Sequence, residues 1–169
     1  MSLVARLRRA VLTPPSRRAW AEAAAGLALL GLPLALLGLA SGELAWSPVG
    51  WPEAARIAAI AFFVPALGEE LVFRAAMIPD RQERPSAAWP IVLSTVAFVL
   101  WHVLETVWLP GAAATFLRPE FLAVAGVLGL GCACLRRRSG SVWTAIAVHW
   151  AVVVAWQACL GGPGFAASG

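Results

Sequence analysis

Polar positions in this chain are few and gathered between long apolar runs. Five such runs are legible: Trp20–Ala40, Glu53–Ile78, Trp89–Leu109, Phe121–Leu135 and Val142–Leu160. Each approaches the ~20 residues that a helix needs to cross the hydrocarbon layer of a bilayer. The fourth is the shortest, and is expected to start earlier with a tilt or to sit partly buried. Between the runs stand "SGELAWSPVGWP", "PDRQERPSA", "PGAAATFLRPE" and "RRRSGS", whose Pro and Gly residues end helices. The pattern predicts an all-α polytopic membrane bundle of about five transmembrane helices. It divides into an Arg-rich leader over 1–19, one membrane domain over 20–160 with its core over about 53–160, and a short Gly-rich tail over 161–169.

Composition strengthens this picture. Of 169 residues, 60% are hydrophobic and 13% charged, where a soluble domain carries about 25% charge. Mean hydropathy is +0.78. The net charge of +4 comes with 13 cationic residues, all of them Arg. These gather at segment ends, which marks membrane topology and excludes a nucleic-acid-binding face. Arg6, Arg8, Arg9, Arg17 and Arg18 precede the first run, Arg81 and Arg84 follow the second, and Arg136, Arg137 and Arg138 follow the fourth. The intervening connections offer only Arg118, with Arg56 just inside the second run. The positive-inside rule then puts the N-terminus in the cytoplasm and the C-terminus outside, in a cell membrane. A Lys-free, Arg- and Ala-rich chain reads as a GC-rich genome, and a bacterial membrane is the expected setting. The Arg-rich start followed by Gly38 and Ala40 also fits a cleaved signal sequence, but the length of the run and the spans after it favour a retained anchor.

Nine Trp and no Tyr are present. Trp20, Trp46, Trp51, Trp89, Trp108 and Trp143 fall near segment ends, as an interfacial belt requires. Trp101, Trp150 and Trp156 lie deeper. They are expected to be lipid-facing bulk, although Trp101 and Trp150 flank histidines and suit a pocket wall. Cys132, Cys134 and Cys159 have no disulfide or metal spacing and read as small packing residues.

The candidate chemistry lies where charge is most expensive. Glu69, Glu70 and Arg74 stand inside the second run, and ionisable groups within a membrane face the bundle interior and meet one another. On a helix Glu70 and Arg74 are i,i+4 neighbours with the acid first, which suits an ion pair. Glu69 points about 100° away and has no local cation. The two histidines of the chain, His102 and His149, also lie in apolar runs. Phe98 shares a helix face with His102, and Glu105 is placed to accept a hydrogen bond from it. Glu69, His102 and His149 come from three spans and are expected to converge.

A glutamate and two histidines suit three kinds of chemistry. They can activate water for attack on an amide, with a second donor for the oxyanion. They can bind a catalytic zinc, although the HExxH spacing is absent. They can line a proton or ion path. No G-x-S-x-G elbow surrounds Ser94 or Thr95, so a serine nucleophile is not expected.

Taken in order, "EELVFR" (Glu69, Glu70, Arg74) fits EExxxR, "FVLWH" (Phe98 to His102) fits FxxxH one span later, and His149 falls where a third motif is expected. This order and spacing resemble the CPBP family of intramembrane proteases, over about Phe62–Val153. That family includes the CAAX prenyl endopeptidases of the Rce type, bacteriocin-processing and self-immunity (Abi-like) proteins, and sorting proteases called myxosortases. The resemblance implies that Glu69 and His102 activate the catalytic water, that Glu70 and Arg74 orient the site, and that His149 stabilises the oxyanion. It implies a glutamic protease, no cofactor, and a membrane-anchored protein substrate cut near its C-terminus. Zinc is not favoured. One position departs: Val153 stands where the family has Asn or Asp. Losing one oxyanion donor costs about 3–4 kcal/mol, so a non-catalytic scaffold or immunity protein is the first alternative and a small transporter the second.

Depth poses a further problem. Counting ~1.5 Å per residue from the Arg-rich ends, Glu69 and His149 lie ~12–13 Å in and His102 ~20 Å in. Convergence then requires tilt, a kink at Pro65 or Pro90, or a later start to the third span.

Overall fold

The computed structural model describes residues 2–80, 82–83, 86–109, 111 and 113–163. Arg81 and Arg84 of the second Arg group, and residues 164–169 of the tail, lie outside the described residues. Helices α1 (Leu3–Leu12), α2 (Arg17–Gly26), α3 (Leu32–Ser41), α4 (Trp51–Ala61), α5 (Ala88–Glu105), α6 (Ala113–Phe116), α7 (Pro119–Ser139) and α8 (Trp143–Cys159) follow in order, with no strand among the described residues. Two stretches, Leu27–Gly31 and Phe62–Ala76, are π-helical.

Among the described residues, three helices are long and apolar enough to cross a membrane: Arg17–Ser41, Ala88–Glu105 and Pro119–Ser139. The protein is thus a polytopic helical membrane protein. The other two expected spans fall short of that test for visible reasons. The stretch from Trp51 to Ala76 carries Glu69, Glu70 and Arg74, and α8 is 17 residues long. The fourth span proves to be 21 residues, starting at Pro119 as its first helical turn and ending on Gly140, whose φ of 71° closes the helix.

Core residues are small. Ala66, Ala75, Ala133 and Ala145 are fully buried, which lets helix backbones approach as they do in membrane bundles. Arg17–Ser41 is the outlier, with only 6% of its apolar window buried, so it lies against the bundle rather than within it.

The Arg-rich segments share one end. Arg6 pairs with Glu83 and Arg9 with Asp80 (2.5 and 2.9 Å). Arg137 donates to the Pro79 carbonyl (2.8 Å), Arg138 pairs with Glu22 (2.8 Å), and Val142 N–H donates to the Ala10 carbonyl (3.0 Å). The Arg-rich leader therefore contains a docked helix, α1. Ala10 is buried among Ala66, Ala75, Val142 and Ile146, while Leu3, Val4 and Leu12 face outward.

At the opposite end, residues 44–49 run extended beside the end of α8. Ser47 and Val49 N–H groups donate to the Cys159 and Ala158 carbonyls (both 2.9 Å), and Ala45 to Leu160 (3.5 Å). These are carbonyls that the last turn of a helix leaves without partners of its own. Cys132 Sγ donates to the Ala145 carbonyl (3.6 Å), and all three cysteines are free.

Candidate active site

The acidic pair arises from an unusual backbone. Pro65 has no N–H to donate inside a helix, and it lies in the π-helical stretch Phe62–Ala76. π-turns are rare and often found at functional sites. This stretch holds Glu69, Glu70 and Arg74 against α5, α7 and α8.

Glu70 and Arg74 are fully buried, with Arg74 Nε 3.4 Å from Glu70 Oε2. The guanidinium also lies over the Phe98 ring, 4.1 Å from its centroid, and a cation over an aromatic face is attracted by the ring quadrupole. Gly129 on α7 makes the room: a Cβ there would stand 3.0 Å from Phe98 Cδ1 and 3.2 Å from Arg74 Nη2.

Glu70 has a second partner. His149 Nδ1 donates to Glu70 Oε1 (3.0 Å), which turns His149 Nε2 towards Glu69 Oε2, 3.9 Å away. Glu69 is 9% exposed, and its Oε2 has no hydrogen-bond partner. Its Oε1 accepts from the Trp101 indole N–H (3.3 Å).

His102 is held differently from expectation. Its Nδ1 donates to the Phe98 carbonyl (2.8 Å) rather than to Glu105. A carbonyl can only accept, so Nδ1 carries the proton and Nε2 has the free lone pair. Glu105 is nevertheless close. One atom each from Glu69, His102 and Glu105 lie within 4.8 Å of one another, a reach that would suit three ligands of a metal ion. Glu105 is half-buried at the end of α5.

Phe98 is the common neighbour. Its ring meets His102 (4.7 Å), His149 (5.6 Å) and Phe73 (5.5 Å), all edge-on. Phe116 and Phe121 cover His102 at 5.5 and 5.4 Å.

Sequence expectations fare unevenly here. Glu69, His102 and His149 are brought to one place, and Glu70 lies beside Arg74. Val153 is half-buried one turn beyond His149. Trp101 is not lipid-facing bulk, because it bonds to Glu69 and packs on Phe73 and Trp108. Trp150 is likewise tied in, donating to the Ala58 carbonyl (2.8 Å). Gly129 and Ser94 were not foreseen; Ser94 is buried and donates to the Phe73 carbonyl (2.7 Å). A Ser–Thr pair inside an apolar run was the available signal.

The Ser94 and Trp101 bonds fix how α5 lies along the π-helical stretch. Ser94 lies level with Phe73, so Trp101, seven residues on, reaches Glu69, four residues back along the antiparallel partner. The third span begins at Ala88 rather than later.

A family model described as type II CAAX prenyl endopeptidase Rce1-like matches residues 51–155. No curated protein and no solved structure matches the chain. The matched stretch runs from α4 into α8 and contains every residue of the site just described. The chain belongs to the Rce1-like CAAX protease family, a membrane-embedded peptidase family of the CPBP group.

Proposed function

We propose that this chain is an intramembrane endopeptidase of the glutamic type. Glu69 and His102 activate a water that attacks an amide of a membrane-anchored protein near its C-terminus, in maturation or sorting. The observation that carries this reading is the unpartnered Glu69 Oε2, facing His149 Nε2 and gathered with His102 in a buried site.

Arg74 compensates Glu70, and Glu70 in turn fixes the His149 ring. That leaves Glu69 as the carboxylate for chemistry. A water beside it gives up its proton to Glu69 while its oxygen attacks the carbonyl carbon. His102 Nε2, free because Nδ1 is committed to Phe98, orients the same water. His149, with a proton on Nε2, donates to the oxyanion. The reaction as written uses no metal, so a chelator is expected to leave cleavage unchanged; loss of activity restored by adding a divalent ion would overturn that. We place the Arg-rich end in the cytoplasm by the positive-inside rule.

The test compares membrane proteomes of cells carrying the native chain and Glu69→Gln, with protein C-termini mapped. A set of anchored proteins that keeps its full C-terminus only in the variant supports the reading and names the substrates. Identical proteomes, together with a phenotype on deleting the gene, would favour the non-catalytic scaffold that Val153 suggests.

A further inference from the structure

Glu105 takes part in none of the steps above, yet it stands in the site. Its carboxyl lies within 4.8 Å of both Glu69 and His102, and it stands one turn beyond Trp101, whose indole bonds to Glu69. We propose that Glu105 is a second catalytic carboxyl, the general acid that protonates the departing amine. This rests on the protease reading.

Two carboxyls within 4.8 Å of each other, inside a bundle, do not both hold a negative charge readily, so one of them is the acid. The positive charge nearby is already engaged: Arg74 lies against Glu70 and the Phe98 ring. Glu69 Oε2 is buried without a partner, so the space beside the pair has an open acceptor on one side and a carboxylic acid on the other. Among the groups facing this space, His102 holds its proton on Nδ1, bonded to the Phe98 carbonyl, and the Nε2 proton of His149 serves the oxyanion. Glu105 is only half-buried, which gives it a route for exchanging protons that fully buried Glu70 lacks.

The proton count closes. At the start Glu69 is ionised and Glu105 carries the proton. Water gives a proton to Glu69, and its oxygen bonds to the carbonyl carbon. When the C–N bond breaks, its electron pair goes to nitrogen, which takes the proton from Glu105. Glu69 then passes its proton to Glu105 across the pair or through one water, restoring the starting state. The products are a carboxylic acid and an amine.

The leaving group provides the test. A departing amine needs protonation, whereas a departing alcohol from an activated ester needs it far less. The probe is a peptide copied from a cleavage site that the native chain and Glu69→Gln distinguish, made with either the amide or an activated ester at the scissile bond. Glu105→Gln is expected to slow amide cleavage by at least roughly 100-fold and to leave ester cleavage within a few-fold of native. Glu69→Gln is expected to lose both. If Glu105→Gln cleaves the amide at the native rate, or loses amide and ester equally, Glu105 is not the acid. If Glu69→Gln retains both activities, or the native chain cleaves nothing, the protease reading itself fails and this proposal falls with it.

Discussion

A single benzene ring organises the site. Phe98 touches Arg74, His102, His149 and Phe73, while its backbone carbonyl fixes the tautomer of His102. Gly129 is the other side of that arrangement. Gly129→Ala should push Phe98 and Arg74 out of place, destabilising the bundle by about 1–3 kcal/mol, as overpacking does. An unchanged thermal midpoint in detergent would show that the neighbours yield without cost. Val153→Asn is the complementary substitution. It supplies a donor one turn from His149, and cleavage should rise by a factor approaching ~100. A flat response would mean that this position does not face the oxyanion. These residues were unequally legible in sequence. Ionisable side chains in apolar runs are conspicuous because burial makes them expensive. A glycine that makes room for a neighbour looks like any other glycine until the packing is known.

At the scale of elements, α1 shows what hydropathy does not reveal. Its arginines look like topology signals, yet two of them dock a helix. Burial works against the Asp80 charge, but the backbone N–H groups of Glu83 and Gln82 and the Arg9 guanidinium hold its carboxyl below the usual range. The Arg6 hydrogen bond does the same for Glu83. Both groups are lowered in the folded state, so their stabilisation is present above the ordinary carboxylate range of about 4 and is lost as pH falls through the folded values. Relative to the same variant unfolded at the same pH, a thiol at Leu7→Cys should therefore be protected from labelling at neutral pH and lose that protection near pH ~3. Equal protection at both pH values would show that these pairs do not hold α1 down. The π-helical stretch was equally hidden. A 3.6-residue helix already explains the Glu70–Arg74 pair, and only the backbone hydrogen bonding separates the two geometries.

The whole molecule has two chemically distinct ends. One joins α1, Pro79, Asp80, Glu83 and the α7–α8 turn through arginines; the other joins Glu43 to Arg118 and residues 44–49 to α8. If the Arg-rich end faces the cytoplasm, an impermeant thiol reagent added outside cells should label Ser47→Cys and not Pro14→Cys, with the native cysteines replaced by Ala. The reverse pattern would invert the orientation. Spans and ends were readable because hydropathy and Arg clustering act on whole segments. Relative depth was not, since it depends on where each helix begins beyond its neighbours.

Through Ala45, Ser47 and Val49 the stretch at 44–49 holds to α8. Because it is bonded along the end of α8, the catalytic unit already includes it, and the first span joins that unit at Gly42, whose φ of 79° ends α3. A cut at the small residues 38–40 would then free the anchor while α8 kept its cap.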